Sequence, residues 1–125
     1  MPSSQPIKLV LLGSTGSVGS SAVKVTKKLP EEVELLAIAG GYRAEELAQQ
    51  ALETETKHVC IYDSSQYKKL RTLLPEEYSV YAGAEGLVHL ATLEEADMVL
   101  ISITGTAGLE PALAAIQAKK KTSRR

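Results

Sequence analysis

Ile7-Lys8-Leu9-Val10-Leu11-Leu12-Gly13-Ser14-Thr15-Gly16-Ser17-Val18-Gly19 is the stretch whose reading decides the fold. An apolar run leads into a glycine-rich turn, and the turn leads into a segment with helical spacing. Strand, glycine turn and helix form the context that a dinucleotide fingerprint requires. Gly13 permits a tight turn, Gly16 lets a pyrophosphate approach the backbone, and Gly19 lets the new helix pack close to its own strand. The unpaired N–H groups of that helix and its dipole then face the anion. Ser14, Thr15 and Ser17 can add hydroxyl donors. The pattern is GxxGxxG rather than the commoner GxGxxG, and such a turn can also serve packing alone. A mononucleotide P-loop is excluded, because no Gly-Lys-Ser/Thr follows at the required spacing.

Outward from that turn, the bulk composition narrows the class. A chain of 125 residues with 44% hydrophobic content suits a single domain with its own core. The net charge of -1 argues against nucleic acid as a general partner, and the lack of Phe and Trp leaves no strong platform for stacking bases. The lone cysteine, Cys60, excludes an intrachain disulfide and sits in an apolar run, as a core residue does. No window has the length of a membrane span, and residues 1–6 form a polar lead without a signal-type apolar core. The expectation is a soluble cytoplasmic protein with no membrane partner.

Periodicity orders the rest. Strands are expected at 7–12, 33–39, 58–62, 78–81 and 98–103, alternating with helices. The first helix, 17–28, presents Val18, Ala22, Val25 and Leu29 on one face. The second carries Leu47, Ala48, Ala51 and Leu52. The third carries Tyr67, Leu70 and Leu74 behind a cap at Asp63-Ser64-Ser65. The fourth points Leu87, Leu90 and Ala91 inward, and the fifth, 109–118, does so with Leu113 and Ile116. Strict alternation predicts a single-domain α/β fold, a Rossmann-like doubly wound parallel sheet of about five strands in the order 4-3-2-1-5. Ligands of such sheets bind at the carboxyl ends of the strands, where the order reverses. Residues 7–118 make this domain, and 119–125, a basic run without apolar partners, reads as a disordered tail.

The second strand ends in Ala39-Gly40-Gly41-Tyr42-Arg43, without the carboxylate that accepts from an NAD ribose. Arg43 can bind a 2′-phosphate bidentately, which favours NADP; its other reading is a solvated arginine at a helix start. Tyr42 can stack on adenine or simply cover the turn. His58 and His89 lack carboxylate or cysteine neighbours at ligand spacing, so no metal site is assigned. Asp97, at the amino end of the fifth strand, reads as a turn residue.

Leu12-Gly13-Ser14-Thr15-Gly16-Ser17-Val18-Gly19, Ala39-Gly40-Gly41, Ala82-Gly83-Ala84-Glu85-Gly86-Leu87 with Ala91-Thr92-Leu93-Glu94-Glu95-Ala96-Asp97, and Ile103-Thr104-Gly105-Thr106-Ala107-Gly108-Leu109-Glu110-Pro111 together resemble the 1-deoxy-D-xylulose 5-phosphate reductoisomerase family. The resemblance runs from about Ile7 to about Lys120. It implies an NADPH-dependent enzyme of the non-mevalonate isoprenoid pathway, one that isomerises and reduces its substrate to 2-C-methyl-D-erythritol 4-phosphate with Mg or Mn. It implies that Thr15, Gly16, Ser17 and Val18, within the turn from Gly13 to Gly19, meet the pyrophosphate. It places Gly41, Tyr42 and Arg43 at the 2′-phosphate, and Ile103, Thr104 and Gly105 on the nicotinamide side. The family commonly has Lys-Asn or Arg-Asn type residues where this chain has Tyr42-Arg43, so the phosphate contact rests on Arg43 here. In the family a further strand and an Ala-Asn-Lys-Glu motif follow the last helix, then the metal ligands and a lid; this chain instead ends in Lys119 to Arg125.

The expectation is therefore an NADPH-binding domain alone, binding the dinucleotide without turnover. No residue of this chain takes a catalytic or metal-binding role in that reading. Self-association is expected through the surface that missing domains would cover, and a plastid location if the source is a plant or alga. Two other readings remain open. One is the dinucleotide domain of an aspartate-semialdehyde-type dehydrogenase, whose nucleophilic cysteine Cys60 matches poorly. The other is a non-catalytic nucleotide-binding module. A short-chain dehydrogenase fits worse, since Tyr67 is followed four positions later by Arg71 rather than Lys.

Overall fold

The computed structural model describes residues 5–103, 109–118 and 121–124. Strands and helices alternate along the chain: β1 (Ile7–Leu12), α1 (Ser17–Lys28), β2 (Val33–Gly40), α2 (Ala44–Thr54), β3 (His58–Ile61), α3 (Tyr67–Leu73), β4 (Ser79–Ala82), α4 (Gly83–Ala91), β5 (Met98–Ile101), α5 (Leu109–Gln117) and β6 (Lys121–Arg124). One sheet holds all of these strands in the order β4-β3-β2-β1-β5-β6, every pair parallel. The expected doubly wound sheet and its strand order are observed, with one addition. Lys121–Arg124, read from sequence as part of a disordered tail, extends the sheet as a parallel partner of β5. A Lys-Thr-Ser-Arg segment carries no hydrophobic signal by which periodicity could mark it as a strand.

β1 is apolar throughout its second half because both of its faces are covered. Leu9 and Leu11 join one core layer with residues of α1, α2 and α3, while Val10 and Leu12 join the other with residues of α4 and α5. The β1–β2 register slips between Leu9 and Val10, which pair with Leu35 and Ala37, so Leu36 is an extra residue. The extra residue sends Leu36 and Ala37 to the same layer and returns Ile38 to the first. At the amino end, the Asp97 carboxylate accepts from the Lys8 amide at 2.9 Å, and the Asp97 amide donates to the Lys8 carbonyl at 2.9 Å. Asp97 thus ties β5 to β1, a role beyond the turn residue expected from the sequence.

Two helical faces differ from expectation. In α1 the inward stripe is Gly19, Ala22, Val23 and Thr26, while Val25 and Leu29 are exposed. Thr26 is tolerated inside because its hydroxyl donates to the Val23 carbonyl at 2.7 Å. In α5 the inward residues are the small Pro111, Ala112 and Ala115, which let the helix lie close to α4 and the sheet. Leu113 and Ile116 are exposed. Leu52 of α2 and Tyr67 of α3 also turn outward, whereas Leu70, Leu74, Leu87, Leu90 and Ala91 are buried as read. α2 stops at Glu55, which takes the left-handed conformation with φ 53° in a place where a glycine is usual. No helix among the described residues is long and apolar enough to cross a membrane.

His58 on β3, Tyr81 on the edge strand β4 and His89 on α4 form a group of rings. His58 Nδ1 lies 3.2 Å from the Tyr81 hydroxyl, and the Tyr81 and His89 ring centroids are 4.7 Å apart. Burial lowers the His58 pKa below its ordinary 6.5, with the charge of Glu95 opposing and that of His89 reinforcing the shift. The unfolded chain therefore binds this proton more tightly than the native one. The contribution to stability is complete above about pH 6.5 and is lost as pH falls through the lowered native value. Thermal melts across that window are expected to show a falling midpoint on acidification, and His58→Gln to flatten the slope; an equal slope in the variant would assign the loss to other groups.

Candidate functional site

The switch point lies between β1 and β5, and the cleft above it is built by the two turns that leave β1 and β2. The Gly13 and Ser14 amides both donate to the Ala39 carbonyl, at 2.7 and 2.9 Å, so the first turn is fastened to the end of β2. The Ser102 amide donates to the Leu12 carbonyl at 2.7 Å and fastens the end of β5. Gly13 has φ +105°, and a Cβ there would lie 2.5 Å from the Ser102 carbonyl oxygen. At Gly19 a Cβ would stand 1.8 Å from the Gly13 carbonyl oxygen, so α1 starts hard against the turn that feeds it.

Gly16 is the N-cap of α1, in extended conformation, with no side-chain cap and no acidic residue in the first helical turn. The amides of that turn have no intrahelical acceptor. A positive dipole end with no carboxylate nearby is suited to an anion. A Cβ at Gly16 would find its nearest neighbour 3.8 Å away, and one at Gly41 would find nothing within 4 Å. These two positions are open to the cleft rather than packed.

The cleft measures about 440 Å³ and is lined by Gly13, Thr15, Gly16, Gly40, Gly41, Tyr42, Arg43, Tyr62, Ser102 and Ile103. Seven of the sequence-predicted residues thus come together: Gly13, Thr15, Gly16, Gly41, Tyr42, Arg43 and Ile103. Ser17 and Val18 contribute backbone to the first turn of α1. Gly19 serves the helix–turn contact and does not line the cleft. Thr104 and Gly105 lie outside the described residues. Ser14, read as a phosphate donor, is fully buried and faces the protein instead. Its amide is spent on Ala39, and its carbonyl accepts from Gln50 on α2 at 2.9 Å.

Three lining residues were not singled out by the sequence: Gly40, Tyr62 and Ser102. Tyr62 and Ser102 were taken into their strands, but β3 ends at Ile61 and β5 at Ile101, which puts both at the open rim. The signal that could have found them is topological, since each follows a strand beside β1 or β2. A more open depression of about 640 Å³ continues from Gly41, Tyr42 and Tyr62 to Asp63, Ser64, Gly83 and Ala84.

Arg43 lines the first of these spaces, next to Gly41 and Tyr42, which with Tyr62 border both. Its guanidinium carbon lies 5.6 Å from the centroid of the Tyr42 ring, and Nη1 is 3.3 Å from Glu46 Oε1. Tyr42, and after it Glu46, raise the Arg43 pKa further above its ordinary value. The side chain is exposed and remains a cation. Cys60 is buried on β3, with its thiol 3.8 Å from the Gly83 carbonyl, and burial pushes its pKa up to about 12. A thiol so protonated is no nucleophile. Among the described residues no three His, Cys, Asp or Glu side chains gather as a metal would need.

A parallel sheet with a glycine-lined cleft at its switch point defines a Rossmann-like α/β domain. The sequence profile described as 1-deoxy-D-xylulose 5-phosphate reductoisomerase matches residues 9–123. The chain belongs to the 1-deoxy-D-xylulose 5-phosphate reductoisomerase family. It is 39% identical over 117 residues to the enzyme of that name from Glaesserella parasuis, and 41% identical over 117 residues to that of Oleidesulfovibrio alaskensis. These alignments cover 91% and 92% of this chain but 30% and 29% of the relatives, so the chain spans about 30% of their length. Among solved structures, the Zymomonas mobilis reductoisomerase in complex with NADPH superposes with a TM-score of 0.90 at 32% identity, over 96% of this chain and 32% of that one. A reductoisomerase in complex with magnesium gives a TM-score of 0.89 at 30% identity, over 94% and 30%. Membership in this family, with Cys60 inert in the core, sets aside the aspartate-semialdehyde-type reading.

The two kinds of glycine separate under mutation. Gly19→Ala is expected to cost about 2 kcal/mol or more, because its methyl overlaps fixed backbone. Gly16→Ala is expected to cost less than about 1 kcal/mol, the scale of an N-cap change, since the added methyl meets one backbone oxygen at an ordinary 3.8 Å. Chemical denaturation of both variants checks this; equal losses would mean that Gly16 is a packing residue.

Proposed function

We propose that this chain is the NADPH-binding part of a 1-deoxy-D-xylulose 5-phosphate reductoisomerase. The single observation that carries the reading is the cleft at the β1–β5 switch point. It is open at Gly16 and Gly41, where a side chain would obstruct a ligand, and it ends at the cation Arg43. The match to a relative in complex with NADPH supports the same ligand here.

The described residues support a cofactor laid along the cleft from Arg43 to Ile103. The amides at the start of α1, with the Thr15 hydroxyl, would hold the pyrophosphate. Thr15 Oγ1 is positioned for this at the mouth, 3.4 Å from where a Gly40 Cβ would stand. Arg43, over the Tyr42 ring, would take the 2′-phosphate, and no carboxylate ends β2 to accept a free 2′-hydroxyl. Ile103, beside Ser102 at the end of β5, would border the nicotinamide, with Thr104 and Gly105 following in sequence. Bound there, NADPH supplies hydride; this chain supplies binding and orientation. A magnesium site has no ligand group among the described residues, and no step involving the metal is assigned to them. The expected behaviour of this chain alone is dinucleotide binding without turnover.

Titration of the purified chain with NADPH, read by the cofactor's fluorescence, is expected to saturate; no response at millimolar cofactor would count against the site. Arg43→Gln is expected to weaken NADPH about ten-fold, the scale of a charge-assisted hydrogen bond, and to leave NADH unchanged. Equal losses for both cofactors would move the 2′-phosphate contact elsewhere. Because Glu46 already occupies Arg43, Glu46→Gln is expected to tighten NADPH by about three-fold at low salt, an effect that shrinks as ionic strength rises.

A further inference from the structure

Ser14 is at the centre of the glycine turn yet is fully buried, and its polar atoms are treated unequally. Its amide donates to Ala39 at 2.9 Å. Its carbonyl accepts from Gln50 Nε2 at 2.9 Å and, at 3.4 Å, from the Ser20 hydroxyl. The Gln50 contact reaches across 36 positions of sequence, from α2 to the turn. Ser14 Oγ and Gln50 Oε1 are also buried, and neither has a hydrogen-bond partner.

This arrangement is costly for stability. A buried oxygen without a partner carries a desolvation penalty, so the unpaired Gln50 Oε1 offsets much of what the Nε2 bond contributes. An apolar residue of similar volume at position 50 would avoid part of that cost. A glutamine is favoured there by what its amide does to the turn. Gln50 Nε2 makes the short bond to the Ser14 carbonyl, and that carbonyl belongs to the peptide unit whose N–H is on Thr15. Fixing the carbonyl toward α2 turns the Thr15 amide the opposite way, since the two are antiparallel across one peptide plane, and Thr15 itself lines the cleft. Gln50 lies two turns along the helix that Arg43 introduces, so its reach to Ser14 ties α2 to the glycine turn.

We infer that Gln50 is a positioning residue of the cofactor site, holding the Ser14 carbonyl so that the following amides face the pyrophosphate. The inference rests on the reading of the cleft as a dinucleotide site. Gln50 touches no ligand; it acts through the turn.

The test uses the 125-residue chain with three probes: NADPH, ADP, and adenosine 2′-monophosphate, which has no pyrophosphate. Gln50→Met is expected to keep a thermal midpoint at or above that of the wild type. It is expected to weaken NADPH and ADP by about five-fold each, the scale of one lost hydrogen bond, and to bind adenosine 2′-monophosphate as the wild type does. Gln50→Glu places an acceptor against the carbonyl at neutral pH and is expected to show the same selectivity with a larger loss; it serves if the methionine variant fails to fold. Amide spectra should show the Thr15 and Gly16 resonances displaced in either variant before ligand is added. A uniform loss for all three probes, or no loss, would overturn the inference, because a residue that only supports the fold has no reason to distinguish a pyrophosphate. If the wild type binds none of the probes at millimolar concentration, the cleft reading itself falls. If the wild type binds and the variants match it, only the role of Gln50 falls.

Discussion

The approach of Gly19 to the Gly13 carbonyl is the contact on which the rest of the molecule depends. No side chain fits between them, so α1 begins directly beneath the end of β1. That proximity decides the rotation of α1 against the sheet, and with it which residues are buried. It also sets the start of α1, at Gly16, on the wall of the cleft. The Ala39 carbonyl, taking two amides of the turn, supplies the second anchor and ties the position of the turn to β2. Backbone packing thus makes the site before any functional side chain is considered.

The sequence declared this core plainly. The runs that became β1, β2 and β5 are too apolar for half-exposed strands, and the punctuation by Gly13, Pro30, Gly40 and Pro75 marks where elements end. What stayed hidden was set by tertiary contact. In α1, apolar periodicity favoured Val25 and Leu29, but the close approach at Gly19 turns Val23 and Thr26 inward. A threonine that satisfies its own hydroxyl is invisible to a search for apolar stripes. In α5 the reverse occurs, because small residues are the ones that permit tight packing. β6 was missed since Lys121–Arg124 carries no hydrophobic signal.

The site shows the same division. Its glycine floor and Arg43 were legible because a glycine-rich strand-to-helix turn and a cation after the second strand can be seen in the sequence, and both line the cleft. Tyr62 and Ser102 were not, since a residue's place at the rim depends on where a strand stops. Ser14 was misassigned for a subtler reason: in a turn of three hydroxyl residues, only geometry decides which of them faces the ligand and which faces the protein. The Arg43–Glu46 pair, 3.3 Å apart and half exposed, is set by two residues one helical turn apart and could be read only from the structure.

The extra residue at Leu36 makes β2 a strand whose length matters as much as its composition. Removing one residue there would restore regular alternation but draw the Ala39 carbonyl back by one pleat, away from the two amides that it receives. Adding one would push it past them. Indels of a single residue should therefore be purged from this strand during divergence, even near its solvent-facing start. Substitutions among aliphatic side chains should drift freely at the same positions.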